Sequence, residues 1–315
     1  MYNQFMNQPS NYFSSLSKAI VTLFGETVHL ERGFPVQGGD INKSYGMALS
    51  NGEVLFMKSN EKNKVDFFVK EAHNLKAIAD TKTISTPKVL GLGTYDGEEV
   101  CYSFLLLNFV ELGNLDEHFW ENFAETLAKM HKAETKDFIP KESYDKGLLF
   151  GFYENNYIGL TKQDNSPKEN WIDFFKDNRL LPQFKMADQH FEKSDFKLID
   201  KLLGNLDQFL VEPKNPSLLH GDLWAGNVMC DTTPQAMLID PACYVGNPEA
   251  DIAMTELFGG FSGKFYEAYK TTGLLQPNYS ERRDLYNLYH LLNHLNMFGK
   301  TYLPAVKAIL KKYVG

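Results

Sequence analysis

Residues 218–229 read LLHGDLWAGNVM, the most informative segment of the sequence. It places three polar side chains, His220, Asp222 and Asn227, in a segment that begins and ends with apolar residues. Each of these side chains is costly to bury without a partner. Their grouping therefore indicates a functional loop, in which the polar groups serve one another or a ligand.

The residues after Asn227 predict how this loop continues. Residues 228–240, VMCDTTPQAMLID, form two apolar runs around DTTPQ, which is typical of a tight antiparallel hairpin centred near Thr233 and Pro234. We expect the hairpin to bring Asn227 opposite Asp240, so that oxygen atoms from both can bind one cation. Mg²⁺ suits such ligands, because it prefers oxygen and is commonly completed by substrate phosphates.

Asp222 lies five residues before Asn227, in the loop that leads into the hairpin. A carboxylate there could orient an attacking hydroxyl. The spacing Asp-x4-Asn, followed by a second Asp at position 240, matches the catalytic loop of protein kinases.

The N-terminal third contains a second polar pair. YGMALS and EVLFMKS flank Asn51-Gly52, a dipeptide suited to a two-residue hairpin turn. The next segment, residues 65–80, has apolar side chains at helical spacing, with Glu71 on the same face as Phe68. A carboxylate there needs a cation, and Lys58 at the end of the preceding strand is the nearest candidate.

The architecture changes at a connector around residues 108–114. Strands with one helix precede it, and mainly helical segments follow, except that residues 147–167 favour an ordered loop. A helix beginning near Trp171 should stop at or near Pro182. We expect an α+β, two-lobe, protein-kinase-like fold, with an antiparallel-sheet N-lobe at 1–107 and a helical C-lobe at 108–315. The first 30 residues or so fit no element.

Composition excludes several classes of protein. The chain has 315 residues, 43% of them apolar, and a net charge of −8, which gives no basic surface for nucleic acid or an anionic membrane. Its three cysteines lack a CxxC pair, so neither a disulfide framework nor a zinc site is indicated. The N-terminus lacks a signal-peptide pattern and no run could span a bilayer, so we expect a cytoplasmic protein. The oligomeric state is open.

HGDLWAGN (220–227) and IDPACYVGNPEADIAMTELFGGF (239–261) together resemble the fructosamine kinase, or ketosamine-3-kinase, family within the aminoglycoside phosphotransferase and choline kinase group. Trp224, IDPA at 239–242 and LFGGF at 257–261 narrow the resemblance to that family. Further similarity is carried by GGDINKSY (38–45), FMK (56–58), NNYIGLTKQDN (155–165), NWIDFFKDNRL (170–180) and LYNLYHLLNHLNMFG (285–299).

The resemblance implies a role for each matched residue. Lys58, positioned by Glu71, would hold the phosphates of ATP, and Gly38 and Gly39 would form the loop over them. The backbone of Asn108 and Val110 would bind adenine. Asp222 would be the catalytic base, and Asn227 and Asp240 the Mg²⁺ ligands. Trp224 and the turn at Gly259, Gly260 and Phe261 would shape the sugar pocket.

The implied reaction phosphorylates the 3-hydroxyl of a ketosamine, such as a ribulosamine or fructosamine, whose product then releases its amine. This would be a deglycation repair. Two alternatives stay open: a kinase for another amine-bearing molecule, such as an aminoglycoside or choline, and an inactive kinase-like binding module. The sequence fixes neither the sugar nor whether the amine is free or on a protein.

Structural explanations compete at single residues. Asp222 and Asn227 could be turn formers, Lys58 and Glu71 a surface ion pair, and Trp224 core packing. We expect His220 to be a structural histidine bonded to backbone, and Asp251 to brace the catalytic loop. Asn293 and His294 read as satisfied core polar groups, and the cysteines as small buried residues.

Overall fold

The computed structural model describes residues 11–36 and 42–315. The N-terminal part forms a six-stranded sheet with the strand order β1-β5-β6-β4-β3-β2. Its pairs are antiparallel except that β1 lies parallel to β5. The strands are β1 (Tyr12–Phe13), β2 (Leu30–Pro35), β3 (Lys43–Leu49), β4 (Val54–Glu61), β5 (Val89–Asp96) and β6 (Cys101–Asn108).

The β3–β4 hairpin is present as predicted, but its turn contains three residues, Ser50 to Gly52, instead of two, because the N–H of Gly52 donates to Leu49 and the N–H of Leu49 to Glu53. Ala48 pairs with Val54 across it, and Gly52 adopts a φ of +87°, a conformation that glycine tolerates without a Cβ clash. The hairpin orients β4, which carries Lys58 toward the side of the sheet that faces the C-terminal part.

Two helices cover the sheet. Helix α1 (Leu16–Phe24) buries Ala19 and Ile20 against β3, β4 and β6. Helix α2 (Val65–Asp80) has the predicted bounds and buries Phe68 and Leu75 against β5 and β6. Sequence reasoning missed β1 and α1, because a two-residue strand followed by nine helical residues leaves little periodicity to detect.

The C-terminal part is mainly helical, as predicted, and is built around one large apolar core. Its helices are α3 (Phe119–His131), α4 (Lys141–Tyr144), α5 (Trp171–Phe175), α6 (Leu181–Met186), α7 (Lys193–Leu203), α8 (Glu249–Leu257), α9 (Gly263–Thr271), α10 (Tyr279–Phe298) and α11 (Leu303–Val314). Short two-stranded pairs hold the loops between them: β7 (Asn156–Ile158) with β8 (Thr161–Gln163), β9 (Ser217–Leu219) with β12 (Tyr244–Gly246), and β10 (Val228–Cys230) with β11 (Ala236–Leu238).

The predicted helix stop at Pro182 is wrong. The chain passes from α5 through a π-helical turn, Lys176–Leu180, directly into α6. Pro182 lies in the first turn of α6, directly after the π-helical turn. The wider π turn before it accommodates the ring, so the helical path continues.

The 147–167 segment is irregular, as predicted, apart from the small β7–β8 hairpin. β6 ends at Asn108, where we placed the boundary between lobes; the division itself stays a prediction. Within residues 11–36 and 42–315, no helix combines the length and apolar composition needed to cross a bilayer. The cytoplasmic location stays a prediction.

Candidate active site

The buried carboxylate of Asp251 anchors the loop that follows β9. The backbone N–H groups of His220 and Gly221 donate to it over 2.7 and 2.9 Å, and Nε2 of His131 lies 3.1 Å away. Burial opposes ionisation of Asp251, but the His131 side chain and the Gly221 N–H outweigh it and hold its pKa below the usual value. The prediction that Asp251 braces the loop is confirmed.

His220 is structural, as predicted. Its Nε2 lies 2.9 Å from the carbonyl oxygen of Ile239, and its ring is fully buried. Gly221 adopts a φ of +80°, and a Cβ there would lie 2.1 Å from the carbonyl oxygen of Ala242. Only glycine fits this turn, which directs the chain toward Asp222.

Asp222 and Asn227 are joined across the loop. The side-chain nitrogen of Asn227 donates to the carbonyl oxygen of Asp222 over 2.8 Å and lies 3.4 Å from its carboxylate. Burial, with the nearby charge of Asp240, raises the pKa of Asp222 to about 7. A carboxyl group with such a pKa can exchange a proton near neutral pH.

The β10–β11 hairpin is present, but its register differs from our expectation by one residue. The N–H of Ile239 donates to the carbonyl oxygen of Asn227, so Ile239 rather than Asp240 lies opposite Asn227. Asp240 follows with a φ of +54°, in the left-handed region. Strand β11 has already ended at Leu238, and the carboxylate of Asp240 contacts Lys58.

Lys58 connects the two parts of the site. Its ammonium lies 2.6 Å from Glu71 on α2, as predicted, and also contacts the carboxylate of Asp240. The side chains of Lys58 and Glu71 are 8% and 14% exposed, which excludes a surface ion pair. Burial alone would lower the pKa of Lys58, but the charges of Asp240 and Glu71 outweigh it and raise that pKa, so Lys58 is a fixed cation.

The residues present fit a magnesium ion. Because the amide nitrogen of Asn227 is bonded to Asp222, its oxygen remains available, and no described residue donates to it. The Asp240 side chain is 39% exposed and follows Ile239, whose N–H bonds the carbonyl oxygen of Asn227, so its carboxylate can serve as a second ligand. In the described part of the chain, no cluster of three or more acidic, histidine or cysteine side chains could hold a metal alone. One amide and one or two carboxylates, completed by phosphates and water, form a typical Mg²⁺ site.

Asn108 and Val110, whose backbone is expected to bind adenine, lie at the end of β6 and just after it. The N–H of Asn108 donates to the carbonyl oxygen of Lys88, whereas the N–H of Val110 bonds to no residue in the described ranges. The side-chain oxygen of Asn108 accepts a hydrogen bond from the N–H of Lys88, which fixes the start of the connector. Gly38 and Gly39 lie outside the described residues.

The structure brings only some of the predicted substrate residues close to one another. Trp224 is 40% exposed and packs over Gly226, and a Cβ on Gly260 would lie 2.5 Å from Ala225 in the same loop. Gly259 and Gly260 have φ values of +72° and +95°, which turn the chain past Ala225. The ring of Phe261, however, packs on Trp120 and Phe123, at 5.4 and 5.9 Å between ring centroids.

The aromatic ring beside Trp224 is Phe258, which sequence reasoning missed. Its centroid lies 6.5 Å from that of Trp224 and 5.1 Å from that of His294. The signal was present, because Phe258 belongs to LFGGF, but the sequence does not reveal which of its two phenylalanines faces the catalytic loop. Asn293 is bonded to Gln183, and His294 to the carbonyl oxygen of His290, as expected of satisfied polar groups.

A sheet whose lysine is paired with a glutamate on the helix that covers it is joined to a helical part that carries an Asp-x4-Asn loop and a second Asp. This combination defines the class: a phosphotransferase with the protein-kinase-like fold. The chain belongs to the fructosamine kinase family, whose model matches residues 12–315. It is therefore an ATP-dependent kinase of the ketosamine type. The match begins at residue 12, within the first 30 residues, to which sequence analysis assigned no element.

Individual relatives agree. The chain is 34% identical over 309 residues to a probable ketoamine kinase of Synechocystis, covering 98% of each chain. It is 36% identical over 283 residues to a chloroplastic protein-ribulosamine 3-kinase of Oryza sativa subsp. indica, covering 89% of this chain and 78% of the relative.

Solved structures share the fold. The crystal structure of a proposed fructosamine-3-kinase from Haemophilus somnus matches with a TM-score of 0.81 and 27% identity, over 96% of this chain and 97% of the other. An amicoumacin kinase crystallised with AMP-PNP and Ca²⁺ matches with a TM-score of 0.52 at 13% identity, over 90% and 87% of the two chains. At that identity the second likeness concerns the fold alone.

Proposed function

We propose that this chain transfers the γ-phosphoryl group of ATP to the 3-hydroxyl of a ketosamine, with Asp222 as the catalytic base. The observation that carries the proposal is the convergence of Lys58, Glu71 and Asp240 at one point, with Asp222 and Asn227 beside it. An inactive binding module would not need to keep all five of these side chains, with Lys58 in contact with Glu71 and Asp240, and Asn227 bonded to Asp222.

The transfer forms a bond between the sugar oxygen and the γ-phosphorus and breaks the bond to the oxygen that bridges to the β-phosphorus. The hydroxyl proton goes to the Asp222 carboxylate, and ADP leaves. Because the transition state of such transfers is loose, the protein contributes mainly position and charge. Asp222 orients the hydroxyl, and its position is fixed by Asn227 and by the Asp251 brace.

Lys58 binds the phosphates, and Glu71 holds its side chain in line. The backbone of Asn108 and Val110 would bind adenine, and Gly38 and Gly39 would cover the phosphates. Asn227 and Asp240 would hold Mg²⁺, which when bound neutralises phosphate charge. In the structure the carboxylate of Asp240 contacts Lys58. The proposed metal ligand therefore lies next to the lysine that binds the phosphates.

Trp224 and the Gly259-Gly260 turn would shape the sugar pocket, and Phe258 is a better candidate than Phe261 for the second aromatic wall. The chloroplastic relative is named as a protein-ribulosamine kinase, which makes ribulosamines and fructosamines the first substrates to try. A 3-phosphorylated ketosamine eliminates phosphate and releases its amine, so the reaction would remove sugar adducts from amines or proteins.

The test is Mg²⁺-ATP turnover on ribulosyl-lysine, fructosyl-lysine, choline and an aminoglycoside, with Asp222→Asn as the control. We expect turnover on the ketosamines alone, and its loss in the control. Turnover confined to choline or the aminoglycoside would refute the substrate while keeping the catalytic roles. Ketosamine turnover that persists in Asp222→Asn would refute Asp222 as the base.

A further inference from the structure

The three residues after Asp240 have their backbone carbonyl groups bound, one after another, by buried amide side chains. The side-chain nitrogen of Asn74 donates to the carbonyl oxygen of Pro241 over 2.8 Å. That of Gln163 donates to Ala242 over 3.0 Å. That of Asn156 donates to Cys243 over 2.8 Å. We call Asn74, Asn156 and Gln163 the amide cradle.

The members of the amide cradle also bind one another. Asn156 donates to the side-chain oxygen of Asn74 over 3.0 Å, and Gln163 donates to that of Asn156 over 2.8 Å. The side-chain oxygen of Gln163 accepts from the hydroxyl of Tyr289 over 2.7 Å. The three amides are between 1% and 2% exposed, so both N–H groups of Asn156 and of Gln163 are used inside the protein. A buried polar network this fully satisfied fixes one arrangement of its members.

The cradle lies where the backbone needs support. Asp240 has a φ of +54°, an uncommon conformation for a non-glycine residue that persists only when its surroundings impose it. Three consecutive carbonyl anchors directly after Asp240 fix the direction of the chain that leaves it. On the opposite side, the N–H of Ala242 donates to the carbonyl oxygen of His220, which ties the same residues to the catalytic loop.

The amides come from two places in the fold. Asn74 lies on α2, one turn after Glu71, and Asn156 and Gln163 lie on the β7–β8 hairpin. The cradle thus connects the helix that orients Lys58 to the segment that presents Asp240. It also gives a use to residues 155–165, NNYIGLTKQDN, which the catalytic roles leave unexplained.

We propose that Asn74, Asn156 and Gln163 are positioning residues that hold the Asp240 carboxylate ready for the metal ion that accompanies the nucleotide. This inference rests on the proposed role of Asp240 as a metal ligand. The amides act through the backbone, and none of them needs to touch nucleotide or metal.

Calorimetric titration with AMP-PNP, with and without Mg²⁺, tests the proposal without turnover. Gln163→Leu removes the bonds of Gln163 to Ala242, Asn156 and Tyr289 at nearly constant volume. Asn293→Leu is the matched control, since Asn293 is also buried, at 3% exposed, and bonds Gln183 and Met297 but no member of the amide cradle and not Tyr289. We expect the Mg²⁺-dependent gain in AMP-PNP affinity to fall about tenfold in Gln163→Leu, as for other residues that orient metal ligands, and less than about twofold in the control.

Affinity without Mg²⁺ should stay within about twofold of the wild type in both variants, because neither touches the nucleotide site. Equal Mg²⁺-dependent gains in the two variants would overturn the proposal and leave Gln163 a stability residue. If Gln163→Leu does not fold, Asn74→Ala removes the contact to Pro241 instead. If the Mg²⁺-dependent gain in AMP-PNP affinity of Asn74→Ala equals that of the wild type, the proposal is overturned.

Asp240→Asn distinguishes the two levels of inference. If the wild type gains affinity from Mg²⁺ and Asp240→Asn loses that gain, Asp240 is a ligand and the cradle variants report on its positioning. If Asp240→Asn retains the full gain, the proposed metal role of Asp240 fails and the cradle proposal fails with it.

Discussion

The ionised form of Asp222 is the proposed catalytic base, but its ionisation lowers the stability of the folded protein. Its carboxylate is half-buried beside Asp240, and burial raises its pKa to about 7, above the value of about 4 expected in the unfolded chain. The folded protein therefore binds more protons than the unfolded chain between these pH values. The contribution of this group to stability is fully present below about pH 4 and is lost as pH rises to about 7.

Asp222→Asn should abolish turnover, and it should also abolish the loss of stability that the wild type undergoes as pH rises. In EDTA at pH 8, we expect the variant to have a higher free energy of unfolding than the wild type, and the difference to shrink toward pH 5. Urea unfolding at the two pH values measures it. Asp200→Asn, on the exposed face of α7, is the control and should change stability by no more than about 0.5 kcal/mol at either pH. A variant that is less stable than the wild type at pH 8 would contradict the argument.

Gly221 offers a second prediction at the scale of one residue. Gly221→Ala meets both a positive φ and the carbonyl oxygen of Ala242, whereas Gly273→Ala meets a φ of +74° with no atom within 4 Å. The left-handed backbone alone costs about 1–2 kcal/mol, and the clash adds about 1–3 kcal/mol. Urea unfolding should therefore show a clearly larger loss for Gly221→Ala. Equal losses would mean that the catalytic loop can move away from Ala242.

At the scale of elements, α2 is held by the segment that leads into β7. The rings of Phe67 and Tyr157 stack with centroids 3.9 Å apart. Glu154 binds Lys70 and His73, each over 2.6 Å. Since α2 carries Glu71, which contacts Lys58, these contacts help to fix the helix that orients Lys58.

Glu154→Gln should weaken this attachment. Burial opposes ionisation of Glu154, but His73 and Lys70 outweigh it and lower its pKa, so its contribution is present above about pH 4.5 and is lost as pH falls through that lowered pKa. At pH 7 we expect a loss of about 1–2 kcal/mol in urea unfolding, which shrinks as the pH falls below about 4.5. Asp80→Asn, which breaks the exposed Lys76–Asp80 pair on the same helix, should cost about 0.5 kcal/mol or less. A pH-independent loss in Glu154→Gln would assign the effect to packing.

What the sequence predicts depends on how local the determining contacts are. The bounds of α2 and the presence of the β3–β4 hairpin follow from patterns within a few residues, and one helical stripe predicts the pairing of Glu71 with Lys58. The path through Pro182 could not be predicted in this way, because it depends on a π turn supported by the surrounding core. The choice of Phe258 over Phe261 beside Trp224 likewise depends on how α8 and α9 pack.

For the whole molecule, the connections between the sheet and the helical part suggest that they unfold together. Ala77 and Ile78, at the end of α2, belong to the apolar core of the C-terminal part. Lys58 on β4 contacts Asp240 across the cleft, and Asn74 binds Pro241. Neither part can lose its structure without exposing buried groups of the other, and such mutual dependence is the basis of a cooperative transition.

The three tryptophans and one cysteine allow this to be measured. Trp120, Trp171 and Trp224 all lie in the C-terminal part, whereas Cys101 is exposed on β6 and the other cysteines, Cys230 and Cys243, are buried, so a maleimide dye should report on the sheet alone. The exposure of Cys101 also corrects our expectation that all three cysteines are buried. Urea unfolding followed by tryptophan and by directly excited dye should give coincident midpoints, with the unlabelled protein as the control for the dye. A dye transition that precedes the tryptophan transition would mean that the sheet unfolds first, and that Lys58, Asn74 and the end of α2 do not couple the two parts.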